Sequence, residues 1–256
     1  MLTRPLQLKY PIVLVHGLGA QSNYGPVEYF FGLPKLLKES NNQIVIPNLT
    51  AWHTIEYRAQ QLKEQINAAF PQGKLNLIGH SMGGLDIRYL TSCLDFKDRV
   101  ASVTTIGTPN RGTSIGDLAT GVLPDSAFTA MNRVLQYFDS HSGALKQVTR
   151  QFCLGAFSDL TPNVPEVGYF SATSAIGEPV MKNSLPVFWL SHQILSKYEG
   201  ENDGFVSVES AAWGNHICTY QGDHYAQIGQ FLGRSRGMDY LKFYSEIFSR
   251  LKQEGM

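Results

Sequence analysis

The segment "LNLIGHSMGGLD", residues Leu75 to Asp86, decides the interpretation of this chain. It runs from an apolar stretch typical of a buried strand into a serine, Ser81, with glycines at Gly79 and Gly83. The Gly-x-Ser-x-Gly pattern between a strand and a helix is the nucleophile elbow, in which small neighbours keep the two elements from colliding. We therefore predict that Ser81 is a nucleophile in a strained turn. The alternative is a glycine-rich turn with an idle serine.

Apolar strands alternate with amphipathic helices on both sides of this segment. The predicted strands are residues 11–17, 43–48, 74–79, 100–107, 168–175 and 216–220. The main predicted helices are residues 54–70, 85–94, 186–198 and 238–253. This alternation is typical of an α/β fold, with a mostly parallel central sheet covered by helices on both faces. Because no repeat or linker interrupts the chain, we expect a single domain over residues 1–256.

The alternation stops between about residues 112 and 167. Only short helices are predicted there, among them residues 126–140, which carry an apolar stripe from Phe128 to Phe138. Ordinary core packing would explain the stripe. A long helical insertion after the fourth strand is also a place where a lid over a site can lie, so we predict a helical cap or lid at about 112–167.

Composition excludes several classes of protein. The chain has 256 residues with 43% hydrophobic and 16% charged residues, which indicates a globular protein. Basic and acidic residues balance at 21 each without a basic run, so nucleic acid is not an expected partner. The three cysteines lie far apart in sequence, which argues against a disulfide framework or a zinc site. No run approaches the roughly 18 apolar residues of a transmembrane helix.

The N-terminal residues lack the apolar core and small-residue cleavage site of a signal peptide. We therefore expect a cytoplasmic protein, or one exported by a route that uses no such signal.

A serine nucleophile needs a base, and in this fold class the base follows both the nucleophile and the acid in the chain. Four histidines satisfy that order: His141, His192, His216 and His224. The first falls in the insertion, the second in a predicted helix, and the third opens a strand. His224 lies in the loop "QGDHYAQ" after the last strand, where catalytic bases of α/β folds are presented, so we select it.

The acid partner is predicted to be Asp203, which lies in the glycine-flanked segment "GENDGFV". Asp223 directly precedes His224, but adjacent side chains in an extended loop diverge. We therefore expect Asp223 to be a solvated loop residue. Glu199 and Glu201 remain alternative acids.

The fourth element is "HGLG", which starts at His16 directly after the first strand. An ester hydrolase needs two N–H donors for the oxyanion of its tetrahedral intermediate. We predict that the backbone N–H groups of Leu18 and Met82 supply them. The His16 side chain is expected to be structural and to hold this loop in place.

Six segments in order along the chain give it a wider resemblance. They are "YPIVLVHGLG", "LNLIGHSMGGLDIRYL", "VTTIGTPNRGTS", "VGYFSATSA", "ENDGFVSVES" and "DHYAQIGQ". With them the chain resembles the bacterial true lipases of the α/β-hydrolase fold, of the Pseudomonas, Burkholderia and Proteus type. The resemblance implies a triad of Ser81, Asp203 and His224, with Leu18 and Met82 as oxyanion donors.

The resemblance also implies the substrate and its surroundings. Water-insoluble acylglycerol esters would be the substrates, met at a lipid–water interface, and a mobile lid would lie in the insertion. Phe205 and Val206 match positions that line the acyl pocket of the family. We expect the chain to act as a monomer.

One departure concerns calcium. These lipases usually bind Ca²⁺ near the catalytic histidine through an aspartate two residues after it and another well before the catalytic aspartate. Here the first position is Ala226, and no aspartate occurs between Gly168 and Gly200. Gln230 matches a supporting position, but a hard cation prefers carboxylate oxygens. We therefore predict no metal site and no cofactor.

The leading hypothesis is a triacylglycerol lipase acting through an acyl-enzyme intermediate. A carboxylesterase for small soluble esters, or a phospholipase or acyltransferase, is the alternative within enzymes. An inactive hydrolase fold used as a binding protein is the alternative outside them.

Overall fold

The computed structural model describes residues 6–24, 27–122, 143–181, 186–230 and 237–256. The strands are β1 (Ile12–Val15), β2 (Asn23–Tyr24), β3 (Val27–Glu28), β4 (Ile44–Val45), β5 (Leu75–His80), β6 (Val100–Ile106), β7 (Gly168–Ala175) and β8 (Asn215–Gln221). The α-helices are α1 (Leu33–Glu39), α2 (Ile55–Ala69), α3 (Met82–Cys93), α4 (Ser114–Ala119), α5 (Arg150–Phe152), α6 (Ser158–Leu160), α7 (Glu178–Met181), α8 (Pro186–Tyr198), α9 (Val208–Ala211) and α10 (Tyr240–Gln253).

Six strands form one sheet in the order β4-β1-β5-β6-β7-β8, and all five pairings are parallel. The predicted α/β fold with a parallel central sheet is therefore confirmed. The remaining strands, β2 and β3, form a short antiparallel hairpin that the sequence analysis did not predict. Strand β4 is shorter than the predicted 43–48, because only Ile44 and Val45 pair with β1.

The side chains of β1 show why both faces of the sheet are covered. Ile12 and Leu14 pack in the core cluster on the face of α1 and α10. Val13 and Val15 pack on the opposite face, against α2 and α3. Because side chains alternate along a strand, a continuous apolar run requires an apolar layer on each side. The helix stripes that the sequence predicted supply those layers.

The predicted insertion is described only at its two ends. The first arm contains α4, and the second contains a 3₁₀ turn at Leu145–Val148, α5, a π-helical turn at Cys153–Phe157 and α6. Gln147 ties the second arm to the body of the protein: its amide oxygen accepts the Ile55 N–H at the start of α2, and its amide nitrogen donates to Glu56. The helix predicted at 126–140 and the stripe from Phe128 to Phe138 lie outside the described residues, and the lid stays a prediction.

Across the described ranges, no helix combines the length and the hydrophobicity needed to cross a lipid bilayer. The loops that matter for chemistry follow the carboxyl ends of β1, β5, β7 and β8. In open parallel sheets this is the edge at which ligands bind.

Candidate active site

Ser81 lies in the turn between β5 and α3, at the middle of the sheet. Its backbone has φ 56° and ψ −132°, a conformation that is unfavourable for a residue with a side chain. The Ser81 N–H donates to the carbonyl of Ile106 at the end of β6. A strained serine held between a strand end and a helix start projects its hydroxyl away from the sheet.

The glycines around Ser81 are required by close backbone contacts. A Cβ added to Gly79 would collide with the backbone carbonyl of Gly83, at the first turn of α3. A Cβ added to Gly83 would lie 2.5 Å from the carbonyl oxygen of Val15 in β1. The predicted reason for these glycines, clearance around a strained serine, is confirmed.

The "HGLG" loop after β1 lies directly against Ser81. A Cβ added to Gly17 would lie 2.8 Å from Ser81 Cβ. The Gly17 N–H donates to the hydroxyl of Tyr29, and the Gly19 N–H donates to the carbonyl of Ala51. Between them, the Leu18 N–H has no acceptor within the described part of the chain.

Met82 is the first residue of α3, and its N–H has no acceptor within the helix. A helix N-terminus also favours negative charge. The two N–H groups predicted as oxyanion donors therefore lie on either side of the serine turn, and both are free to donate to an oxygen bound there.

A buried arginine holds the "HGLG" loop in place. Arg58 on α2 donates from Nη2 to the carbonyl of His16 and from Nη1 to the carbonyl of Thr50, each at 2.8 Å. Its Nε donates to Asp86 Oδ2 on α3 at 2.9 Å, and both charged side chains are fully buried. Because three segments meet on one rigid guanidinium, the loop is fixed relative to α2 and α3.

The His16 side chain is structural, as predicted. Its Nε2 accepts the Leu49 N–H at 3.0 Å, and its Nδ1 lies 3.0 Å from the carbonyl oxygen of Gly17, which it can reach only as a donor. Burial and the nearby Arg58 lower the pKa of His16 to about 4. The ring is therefore neutral at pH 7. It holds the loop in place with Nδ1 as a donor and Nε2 as an acceptor.

Asp203 and His224 form a buried pair. The Asp203 carboxylate lies 2.7 Å from His224 Nδ1, and both side chains are almost fully buried. The other carboxylate oxygen accepts the backbone N–H groups of Phe205 and Val206 at 2.9 and 2.8 Å. The backbone adds a further link, because the His224 N–H donates to the Asp203 carbonyl at 2.8 Å. Such a carboxylate holds the imidazole in one tautomer and orientation.

A second buried histidine connects these loops. The Tyr29 hydroxyl lies 2.7 Å from His80 Nδ1, and His80 Nε2 lies 3.2 Å from the carbonyl oxygen of His224. Burial and the neighbouring His224 ring hold the pKa of His80 well below its usual value. A neutral His80 accepts from Tyr29 and donates to the His224 carbonyl. Since Tyr29 also accepts from Gly17, one chain of hydrogen bonds joins the "HGLG" loop to the loop that carries His224.

The alternative acids are engaged elsewhere. Glu199 accepts from the Ser114 N–H and the Ser207 hydroxyl, and Glu201 is exposed. The prediction of a solvated Asp223 is wrong: this residue is only 4% exposed, and its carboxylate accepts the N–H groups of Tyr225 and Ala226. It shapes the turn after His224 and makes no bond to the His224 ring, because its side chain points along the backbone of that turn.

The alternative histidines also have other partners. His192 on α8 contacts Asn202, and His216 on β8 contacts Ser171 and Thr219. His141 lies outside the described residues.

Ser81 and His224 open into one cavity of about 710 Å³. Its wall is mainly apolar and includes Leu18, Ala20, Trp52, Met82, Ile115, Leu145, Val148, Phe205, Val206 and Ile228. No lysine, arginine, aspartate or glutamate lines it among the described residues. The two residues that the family resemblance assigned to an acyl pocket, Phe205 and Val206, are part of this wall.

Comparison with known proteins agrees with this geometry. The profile of a family described as "alpha/beta hydrolase fold" matches residues 10–146, more than half of the chain. The chain belongs to this family. The match includes β1, the "HGLG" loop, the Ser81 turn and β6, which are the elements that build the serine side of the site.

Relatives of this alpha/beta hydrolase agree with the predicted resemblance to bacterial lipases, which is confirmed. The triacylglycerol lipase of Vibrio cholerae is 40% identical over 124 residues, which are 47% of this chain and 39% of that protein. The match therefore spans well under half of that relative. The triacylglycerol lipase of Pseudomonas fragi is 28% identical and covers 97% of this chain and 98% of its own. The mature Bacillus licheniformis lipase BlEst2 shares the fold, with a TM-score of 0.72 at 22% identity over 96% of this chain and 94% of its own.

The residues of this alpha/beta hydrolase do not fit the calcium ion that the lipase resemblance implies. Ala226 is buried in the apolar core and offers no side-chain oxygen. Gln230 uses its amide nitrogen to donate to the carbonyls of Glu28 and Tyr29. Among the residues that the structure describes, no group of three histidine, cysteine or acidic side chains could hold a metal ion. The loop that carries His224 is held by hydrogen bonds that its N–H groups donate to Asp223 and that the Gln230 amide donates to Glu28 and Tyr29.

Sequence reasoning missed four residues that shape this site: Arg58, Tyr29, His80 and Gln227. The last donates from Nε2 to Asp203 Oδ2 at 2.8 Å. His80 stood inside the Ser81 motif, and its position next to Ser81 was the available signal. The other three carry no local signal, because their partners lie 12 to 42 residues away in sequence.

Proposed function

We propose that this chain is a serine ester hydrolase that releases fatty acids from neutral acylglycerols. One observation carries the proposal: Ser81 and His224 open into the same apolar cavity, and Asp203 is buried behind His224 at hydrogen-bond distance. The names of the full-length relatives support the same activity.

The reaction would follow the serine-triad scheme. His224 accepts the Ser81 hydroxyl proton as Ser81 Oγ attacks the ester carbonyl carbon. The N–H groups of Leu18 and Met82 stabilise the resulting oxyanion. The intermediate collapses with release of the alcohol, which takes the proton from His224, and leaves the acyl group on Ser81. Water then attacks the acyl-enzyme by the same steps, and Asp203 stabilises the protonated imidazole throughout.

The cavity wall favours a neutral lipid ester over the alternatives. Each methylene that leaves water contributes about 0.8 kcal/mol, so an apolar cavity of this size selects for acyl chains over the short chains of soluble esters. A phospholipid or an acyl thioester of a nucleotide cofactor carries phosphate charge, and the described lining offers no lysine or arginine to pair with it.

Two finer properties belong to the proposal. We expect activity at a lipid–water interface by a monomeric enzyme. We also expect it to be independent of calcium, because Ala226 stands at the ligand position and hydrogen bonds hold the histidine loop. Hydrolysis should be equal in EDTA and in added Ca²⁺, and a large loss in EDTA would contradict calcium independence.

The test uses Ser81→Ala, with Ser92→Ala as the matched control because Ser92 lies on α3, which follows Ser81, and outside the cavity lining. Ser81→Ala should lower kcat by about 10⁶ on trioctanoylglycerol emulsions and nitrophenyl esters alike, with unchanged folding by circular dichroism. A fluorophosphonate probe should label the wild-type protein and Ser92→Ala, and not Ser81→Ala.

Other outcomes would separate the rivals. Absence of labelling in the wild-type protein would favour an inactive hydrolase fold that binds ligands. Faster release from phosphatidylcholine vesicles than from the emulsion would favour a phospholipase. Rates that stop rising at the solubility limit of a partly soluble triacylglycerol would favour an esterase.

A further inference from the structure

We propose that Gln227 is a positioning residue for the acid–base pair and that it acts through Asp203. This inference rests on the proposed function, because it concerns the same Asp203 and His224. Gln227 Nε2 donates to Asp203 Oδ2 at 2.8 Å, and His224 Nδ1 lies 2.7 Å from that same oxygen. His224 and Gln227, which both contact this oxygen, are three residues apart in one turn of the chain.

Asp203 depends on these bonds because it is fully buried. A buried carboxylate is costly unless hydrogen bonds replace its water. Two backbone N–H groups, from Phe205 and Val206, satisfy Oδ1. Oδ2 has only His224 and Gln227 among the described residues. Gln227 is therefore the one side chain besides the base that fixes where Oδ2 points.

The amide of Gln227 has one favourable orientation. Its Nε2 also donates to the Ser174 hydroxyl at 2.7 Å. The reverse orientation would put the amide oxygen against a carboxylate oxygen, which is repulsive. The opposite end of the amide packs against Gly107, where an added Cβ would collide with Oε1.

The oxygen atom of the Gln227 amide is bonded less well than its nitrogen. Among the described residues, Gln227 Oε1 is buried without a hydrogen bond of good geometry, and the Gln227 side chain interacts with the neighbouring His80 ring. A poorly bonded oxygen costs free energy, which the two hydrogen bonds donated by Nε2 offset. Gln227 is absent from the cavity lining, so it can act on the substrate only through other side chains.

The experiment is a double-mutant cycle on a soluble nitrophenyl ester, with kcat, KM and the unfolding temperature measured for each variant. Gln227→Met keeps the length of the side chain and removes the donor. We expect about a tenfold loss of kcat with KM unchanged, the size expected for a hydrogen bond to a charged group. In an Asp203→Ala background the same change should lower kcat less than twofold, because its target is gone.

Ser174→Ala is the matched control. It removes the other acceptor of Nε2 and leaves the bond to Asp203, so its loss of kcat should be smaller than that of Gln227→Met. If Gln227 only filled space or tied β7 to the turn, Gln227→Met would lower kcat equally in both backgrounds, and Ser174→Ala would match it. Either result would overturn the proposal.

A second variant decides the matter if Gln227→Met does not fold. Gln227→Glu keeps the shape and places a carboxylate beside Asp203. Added negative charge favours a protonated imidazole, so the rise of kcat/KM with pH should move to higher pH, together with a loss of kcat. An unchanged pH profile with wild-type kcat would overturn the proposal. Full activity in Ser81→Ala would instead overturn the proposed function.

Discussion

Acid should destabilise this protein through His16, and the size of the effect can be worked out from its surroundings. The pKa of His16 is about 4 in the folded state, because of burial and the adjacent Arg58, against 6.5 for an exposed histidine. The folded state therefore binds this proton less readily than the unfolded state. The stability that the neutral ring contributes is complete above pH 6.5 and is lost as the pH falls from 6.5 through 4.

The shift of about 2.5 units corresponds to about 3 kcal/mol, at roughly 1.4 kcal/mol per unit. Because protonation of the unfolded chain is nearly complete by pH 5, about 2 kcal/mol of that should be lost between pH 7 and pH 5. This is a substantial part of the 5–15 kcal/mol by which a typical domain is stable.

The measurement is urea unfolding at pH 7 and pH 5 for the wild-type protein and for His16→Gln. Glutamine offers an oxygen to the Leu49 N–H and cannot take up the proton, so the variant should lose about 2 kcal/mol less than the wild type between the two pH values. His53→Gln is the control, because His53 lies in a partly exposed loop position. Equal pH dependence in the wild type and His16→Gln would refute the reasoning.

Two further predictions concern the serine turn and the loop beside it. Gly83→Ala should lower the free energy of unfolding by at least about 2 kcal/mol, because its Cβ would lie 2.5 Å from the Val15 carbonyl oxygen. Equal thermal stability of Gly83→Ala and the wild-type protein would contradict the clearance argument. Tyr29→Phe should cost about 2 kcal/mol and lower kcat, because it leaves the buried Gly17 N–H and His80 Nδ1 without this partner. The matched control is Tyr244→Phe, whose buried hydroxyl has no partner in the described ranges, and an equal loss in both variants would show that the Tyr29 bonds contribute nothing specific.

The three groups of the proposed triad were predicted from sequence with different kinds of support. Ser81 is encoded locally, because the strand, the glycines and the helix start all lie within twelve residues. His224 was selected from its position after the last strand, and Asp203 from its glycine-flanked loop. The structure places both next to each other, although they are 21 residues apart. Their roles stay predictions until the variants are measured.

The expectation for Asp223 failed for a physical reason. An aspartate in a polar loop is usually solvated, and the sequence carries no sign that a backbone turn will fold over it. Here two N–H groups of the turn after His224 replace its water. Burial of this carboxylate raises its pKa, which is a consequence of the turn and not of the residue itself.

The sequence by itself determined the alternation of strands and helices, the serine turn and the absence of a carboxylate at residue 226. These follow from periodicity and from backbone constraints that act within a few residues. Only the tertiary structure decided which side chains support the site: Arg58 under the "HGLG" loop, Tyr29 and His80 between that loop and the His224 loop, and Gln227 on Asp203. Hydrogen-bond partners of buried polar groups are chosen by three-dimensional packing, and segments distant in the chain meet there at distances that no local pattern records.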